Sequence, residues 1–174
     1  QLAERVEGTA DPPATSGYLI DTNLRYGADY QTVVAERYLD WSREGGMAAH
    51  IEMCNGNGFC RKLDGGTMCP SYQATRQEKD CTRGRANALR AVISGDLPAA
   101  KFTSHDLYGV LDLCLECKGC KGECPSNVDM AKLKYEFLAQ YYDAHGTPRR
   151  AKFFGNVART SRLGSRFAPV SNWL

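Results

Sequence analysis

The sequence predicts an all-α fold wrapped around two cysteine-bearing loops. Three observations carry this. Apolar residues recur at helical spacing behind capping residues in several separate segments. No Asn-Gly pair joins two alternating runs as a hairpin requires, since Asn55-Gly56 lies inside a cysteine loop. The eight cysteines crowd into two short stretches, which leaves the periodic segments to build the core.

Taken in order, residues 1–17 carry Pro, Thr and Ala without periodicity and read as a linker or ragged end. Tyr18 to Tyr38 mixes aromatic and aliphatic residues, as in irregular chain laid on another surface or on its own domain. Ser42 is placed to cap a helix running to about Met53, with Met47, Ile51 and Cys54 at helical spacing. A glycine-rich loop, Asn55 to Met68, follows, and Cys69-Pro70 opens a short helix through Ala74. Thr82 is the expected cap of a helix over Arg83 to Ser94, with Ala86, Leu89 and Ile93 as its apolar side and Gly95 as its stop. Ser104 caps the next, with Leu107, Leu111 and Cys114 in one stripe. Asn127 or Asp129 opens the longest, about Met130 to Ala144, whose Met130, Leu133, Phe137 and Tyr141 share a face before Gly146. Thr147-Pro148 reads as an N-cap and first helical residue, followed by a basic helix to about Thr160. The domains expected are therefore a linker (1–17), a helical cysteine domain (18–146) and a basic helical connector (147–174).

Composition narrows the function. With 22 basic and 20 acidic residues the net charge is +2, which does not suit a nucleic-acid binder. No apolar run approaches the ~18 residues of a membrane span, and no secretory leader is visible. A cytoplasmic chain is expected, its basic tail leaving contact with the inner face of the membrane open. It begins at Gln1 without methionine and ends in mid-pattern at Trp173-Leu174, as a piece of a longer protein would. Eight cysteines in 174 residues fall below the ~8–10% of disulfide scaffolds, and the spacing inside each stretch is too short for sensible bridges.

The spacing of Cys114, Cys117, Cys120 and Cys124-Pro125 is Cys-x₂-Cys-x₂-Cys-x₃-Cys-Pro, the run by which bacterial ferredoxins hold a cubane iron–sulfur cluster. Three thiolates from one tight loop bind one cube, while the fourth serves the other cluster of a two-cluster protein. A partner motif with its own Cys-Pro is then required, and Cys69-Pro70 supplies it. One [4Fe-4S] cluster is accordingly expected on Cys114, Cys117, Cys120 and Cys69. The other would use Cys54, Cys60 and Cys124, with Asn57 where a fourth cysteine would stand. Cys81 is left over. Either Cys81 completes a second [4Fe-4S] cluster, or that site holds three irons, or a single cluster forms. As an ordinary residue Cys81 would be a small buried hydrophobe. Zinc also takes Cys₄ sites, though usually as two pairs separated by a longer spacer.

The surroundings suit an anionic cluster. Gly56, Gly58, Gly119 and Gly122 free the backbone to aim N–H groups at sulfur, and Arg61, Lys62, Lys118 and Lys121 lie beside ligands where they could raise a reduction potential. The basic start Thr82-Arg83-Gly84-Arg85 runs against the helix dipole, so Arg83 or Arg85 should have a specific acidic partner, either a carboxylate of a neighbouring domain or a local salt bridge. His50, His105 and His145 lie outside the cysteine motifs, with surface or capping roles expected.

Three stretches carry a family resemblance: E-M-C-N-G-N-G-F-C-R-K-L-D-G-G-T-M-C-P-S-Y-Q-A-T-R (Glu52 to Arg76), T-R-G-R-A-N-A-L-R (Thr82 to Arg90) and D-L-C-L-E-C-K-G-C-K-G-E-C-P-S-N-V-D-M-A-K-L-K (Asp112 to Lys134). With R-Y-G-A-D-Y (Arg25 to Tyr30), the chain from about residue 18 onward resembles the iron–sulfur segment of FAD-linked oxidases. These are flavoproteins such as bacterial D-2-hydroxyglutarate and D-lactate dehydrogenases, with the glycolate oxidase iron–sulfur subunit more distant. The resemblance implies an alpha-helical ferredoxin-like domain. It also implies a relay in which a 2-hydroxy acid reduces FAD in an upstream domain and electrons pass singly through the clusters to a quinone or other carrier. A cysteine-rich domain would follow downstream. Substrate chemistry would belong to the flavin domain, so no catalytic residue is assigned here.

Two further readings stay open. Arg149 to Arg166 holds six basic residues and no acid, interleaved with Phe153, Phe154, Val157 and Leu163, with Phe167 just beyond; such a stretch docks on a neighbouring domain or lies on a membrane. The rival to electron transfer is a cluster- or zinc-stabilised scaffold that joins neighbouring domains.

Overall fold

The structure, a computed structural model, describes residues 30–33, 37–168 and 172–173. The chain divides into two compact units, Gln1–Gln31 and Thr32–Leu174. The expected linker, the Arg25-to-Tyr30 motif apart from its last residue, and most of the Tyr18-to-Tyr38 run lie outside the described residues. In the second unit the described residues form helices and no strand: α1 (Met47–Glu52), α2 (Pro70–Thr75), α3 (Thr82–Ile93), α4 (His105–Leu111), α5 (Gly119–Glu123), α6 (Met130–His145), α7 (Arg149–Gly155) and α8 (Val157–Arg166), with short 3₁₀ turns between several of them. The all-α expectation holds.

Helix starts follow side-chain chemistry, with corrections. Ser104 caps α4 by accepting the Leu107 N–H, and Asp129, not Asn127, caps α6 by accepting the Lys132 N–H. The helix expected from Ser42 is interrupted. Ser42–Glu44 is a single 3₁₀ turn, and Gly45 and Gly46 (φ 75° and 106°) break the chain before α1 begins. Cys54 therefore lies beyond α1. Thr82 is inside α3; its cap is Cys81, whose sulfur accepts the Gly84 N–H. Pro148 rather than Thr147 occupies the cap position of α7, and the basic helix continues past Thr160, to Arg166, after a break at Asn156.

The core gathers the apolar sides of α1, α3, α4 and α6. Trp41, Ile51, Leu89, Ile93, Leu111, Leu133 and Phe137 are all essentially inaccessible. Each such aliphatic or aromatic burial contributes about 1.5–3 kcal/mol, and together they hold α3 and α6 as a frame for the loops. Phe137 also meets Phe102 edge-on and stacks on Tyr141.

One buried carboxylate organises the chain entering this core. Glu136, fully buried on α6, accepts the backbone N–H groups of Arg37, Tyr38 and Leu39 at 2.8–3.2 Å and an N–H of Gln140 at 2.8 Å. A carboxylate taken from water needs such donors. By contrast α7 and α8 bury nothing: Phe153, Phe154, Val157, Leu163 and Phe167 are all exposed. Among the described residues no helix is long and apolar enough to cross a membrane.

Candidate metal centre

The two cysteine stretches are pinned together by Glu123, at the end of α5. Its carboxylate accepts the Thr67 N–H at 2.5 Å, the Met68 N–H at 3.1 Å and the Lys62 ammonium at 2.5 Å. Those donors, Lys62 foremost, hold its carboxyl down at about 2. Cys69, one residue beyond Met68, is thereby brought to the Cys114–Cys120 loop. Gly66 (φ 71°) is required here, because a side chain at that position would run into the Lys62–Glu123 pair.

The Cys114–Cys120 loop is wound by two left-handed residues, Glu116 (φ 56°) and Lys118 (φ 58°), which flank Cys117. Each costs about 1–2 kcal/mol for a residue with a Cβ. Anchors offset this: the buried Lys134 ammonium on α6 donates to the carbonyls of Asp112 (3.1 Å) and Cys114 (2.7 Å) and pairs with Glu116 at 3.1 Å. The result is a small pocket lined by Cys69, Cys114, Cys117 and Cys120, with Arg85 and Met130 among its walls. These are the cysteines expected to hold one cluster. Burial pushes the thiols of Cys114 and Cys120 above their ordinary range, outweighing the Glu116 and Met130 amides and, at Cys114, the charges of Arg85 and Lys134.

The other set is brought together in part. Cys81, whose thiol donates to the Glu78 carbonyl at 3.1 Å, lies close enough to Cys60 for the two thiols to act on each other, which pulls the Cys60 thiol down and pushes the Cys81 thiol up. The backbone N–H of Arg83 donates to Cys60 Sγ at 3.3 Å and that of Gly84 to Cys81 Sγ at 3.3 Å. Both sulfurs thus face the amides that open α3, where partial positive charge favours thiolate. Cys54 is close enough to Cys60 to oppose its ionisation, and the Arg90 guanidinium on α3 holds the Cys54 carbonyl at 2.9 Å. Cys124, half-buried at the end of α5, lines neither the four-cysteine pocket nor a described contact with Cys60 or Cys81. Among the described residues no three Cys, His, Asp or Glu side chains are arranged on a single ion. A cubane binds one thiolate per iron, so four sulfurs around a shared space fit that donor set without meeting at a point.

The cations flanking the cysteines each have a carboxylate. Arg61 pairs with Glu78 at 3.3 Å, Lys62 with Glu123, and Lys118 and Lys121 with Asp129 at 3.9 and 3.3 Å. Burial works to raise the Asp129 carboxyl, but the Lys132 N–H and the two lysines outweigh it and bring it down. The acidic partners at the start of α3 are local ones, not those of a neighbouring domain: Arg83 grips Glu78 with two N–H groups at 2.7 and 3.0 Å, and Arg85 faces Asp80. His50 departs from a surface role. It is buried, and its Nε2 accepts the Asp129 N–H at 2.9 Å, which ties α1 to the start of α6. His105 bonds the Tyr141 hydroxyl through Nδ1, and His145 donates from Nε2 to the Thr103 carbonyl, both at 2.7 Å. Sequence reasoning missed α5, the role of Cys81 as a cap, and the buried positions of Glu136, Lys134 and Arg85. A cysteine directly before Thr-Arg-Gly at a helix start was the available signal for the second.

A helical domain with cysteines converging from two loops is an arrangement that suits an iron–sulfur cluster. Residues 50–128, which include all eight cysteines, match the family model of the 4Fe-4S dicluster domain. Among curated proteins the chain is similar to D-2-hydroxyglutarate dehydrogenase of Pseudomonas putida, 30% identical over 139 residues, covering 62% of this chain and 14% of that protein. It is similar also to the Escherichia coli enzyme of the same name (24% over 155 residues, 69% of this chain, 15% of the relative) and to the E. coli glycolate oxidase iron-sulfur subunit (35% over 78 residues, 45% and 17%). The chain thus spans about one-seventh of the length of the dehydrogenases it matches. No solved structure matches it.

Proposed function

We propose that this chain is the electron-transfer module of a larger flavin-dependent 2-hydroxyacid dehydrogenase, carrying two [4Fe-4S] clusters. One is held by Cys69, Cys114, Cys117 and Cys120, the other by Cys54, Cys60, Cys81 and Cys124. The observation that carries this reading is the single pocket lined by four cysteines from two loops more than 40 residues apart in sequence. The pairing of Cys60 with Cys81 supports Cys81 as the ligand that replaces the position held by Asn57.

A [4Fe-4S] cluster supplies one-electron storage at a potential set by its ligands and their surroundings. The chain's residues do the rest. Lys134, Glu123 and Arg90 fix the backbone next to Cys114, Cys69 and Cys54, so that little rearrangement accompanies electron uptake. The N–H groups of Arg83 and Gly84 stabilise thiolate at Cys60 and Cys81. An FAD domain is the donor and a quinone or similar carrier the acceptor. No residue of this chain bonds to the 2-hydroxy acid. The exposed basic pair α7–α8 serves as a connector that docks on a neighbouring domain, and the assembly works in the cytoplasm or against the inner membrane face.

Anaerobic reconstitution with iron and sulfide tests the reading. The expected product is brown, carries about eight irons per chain if each site holds a four-iron cube, and bleaches with an EPR signal under dithionite. Cys117→Ser and Cys81→Ser each lose iron from one site only. A colourless zinc protein would establish the scaffold alternative instead, and full iron retention in Cys81→Ser would remove that cysteine from the ligand set.

A further inference from the structure

We propose that Arg85 is the positioning residue that sets the reduction potential of the cluster bounded by Cys69, Cys114, Cys117 and Cys120. The inference rests on the electron-transfer reading above. Arg85 lies in the first turn of α3, and its side chain is 0% exposed. A guanidinium cannot escape burial by losing its proton. It therefore needs acceptors and a compensating negative charge.

The acceptors are identifiable. Nε donates to the Val110 carbonyl at 3.1 Å and one terminal nitrogen to Ser71 Oγ at 3.0 Å. The other terminal nitrogen points at Cys69 Sγ, 3.6 Å away, within reach of a sulfur acceptor. The carboxylate facing the group, Asp80, is as deeply buried but stays 3.9 Å away, beyond hydrogen-bond distance. Its Oδ1 has no hydrogen-bond partner, while Oδ2 is taken by Thr75. The guanidinium's hydrogen bonds go to neutral oxygens and to sulfur, and Asp80 meets it at ion-pair distance without a hydrogen bond, so one N–H is left for Cys69. Its remaining direction is the four-cysteine pocket, which it lines.

That arrangement acts on the redox couple. Arg85 would face one more negative charge in the reduced form of a bound cluster than in the oxidised form, and no bond or proton at Arg85 would have to move. A fixed cation with an N–H aimed at a ligand sulfur favours the reduced form over the oxidised form. Hydrogen bonds to sulfur and local charge are among the factors that set such potentials. Arg61, Lys62, Lys118 and Lys121 are closer to cysteines in sequence and, like Arg85, face a carboxylate, but they are partly exposed. Arg85 alone of these cations is wholly withdrawn from water, where its field is screened least.

The test is a redox titration followed by EPR on the reconstituted chain, with Cys117→Ser used to identify the signal of this pocket. Arg85→Met, once shown by iron analysis and circular dichroism to be loaded and folded, should lower that cluster's reduced-to-oxidised ratio at fixed potential at least tenfold. That is ~59 mV for a one-electron couple. The other cluster should move much less, and Arg85→Lys should recover most of the shift. The double variant Arg85→Met with Asp80→Asn removes the orphaned acid if the single variant folds poorly. Should neither methionine variant hold iron, Asp80→Asn decides, because unmasking the guanidinium should raise the potential. An unchanged potential in a loaded Arg85→Met variant, or in Asp80→Asn, overturns the proposal. A purely structural Arg85 would alter iron occupancy or melting temperature and leave the potential of loaded protein where it was. Wild-type protein that binds no iron would sink the electron-transfer reading itself, a distinct result.

Discussion

Glu123 accepts the backbone N–H of Met68 at 3.1 Å, so a carboxylate from one cysteine motif orients the residue before Cys69 in the other. The same carboxylate takes the Lys62 ammonium, and its carboxyl sits at about 2 against an ordinary 4.5. Between those values the unfolded chain binds the proton and the folded chain does not. The pin's contribution is therefore complete above about pH 4.5 and is lost as the pH falls through about 2. Acid denaturation of the metal-free chain should show a transition in this window that is flattened in Glu123→Gln. Identical acid profiles would mean that the loops are held by something else.

Gly84 packs its Cα against the Glu78 carbonyl, and any Cβ there would overlap it. Gly84→Ala should destabilise the chain by about 1–3 kcal/mol, as overpacking does. Because Gly84 N–H also caps α3 through Cys81, the same variant should lose iron from the Cys60–Cys81 site before the other. Urea denaturation with iron analysis reads both effects.

Removal of the buried Glu136 carboxylate leaves the amides of Arg37, Tyr38 and Leu39 without their acceptor. Glu136→Ala should cost about 1–3 kcal/mol, given that several part-buried donors lose their acceptor together. Hydrogen exchange at these amides should accelerate in the variant, and the cysteine loops should be unaffected.

Lys134 bonds two carbonyls of the segment leading into the first ligand of the Cys114 loop. Lys134→Met keeps the apolar stem and deletes the donors. The cluster should then be stripped by a chelator several-fold faster, with little change in helicity. Equal rates of iron loss would remove Lys134 from the supporting shell.

Much of this architecture was legible in the sequence because its signals are local. Ser104 and Asp129 cap their helices through their own side chains, and the stripe Met130, Leu133, Phe137 and Tyr141 is buried as its spacing requires. The boundary at Gly45-Gly46 was missed because the apolar period around Met47 and Ile51 extends past a break that depends on two positive-φ glycines. Cys81 was ambiguous for a similar reason. Nothing within its own segment reveals that Cys60 stands beside it.

The sequence by itself determined that the described residues are helical and that Cys114, Cys117 and Cys120 stand together, since spacing along a short loop limits what its thiolates can reach. Only the tertiary structure decided which charges act on that site. Arg61, Lys62, Lys118 and Lys121 are neighbours along the chain but pair with carboxylates near water, whereas Arg85, remote in sequence from the Cys114 loop, is carried by α3 into its wall. Side-chain direction and burial fix the strength of a charge's field, and both arise from how helices pack.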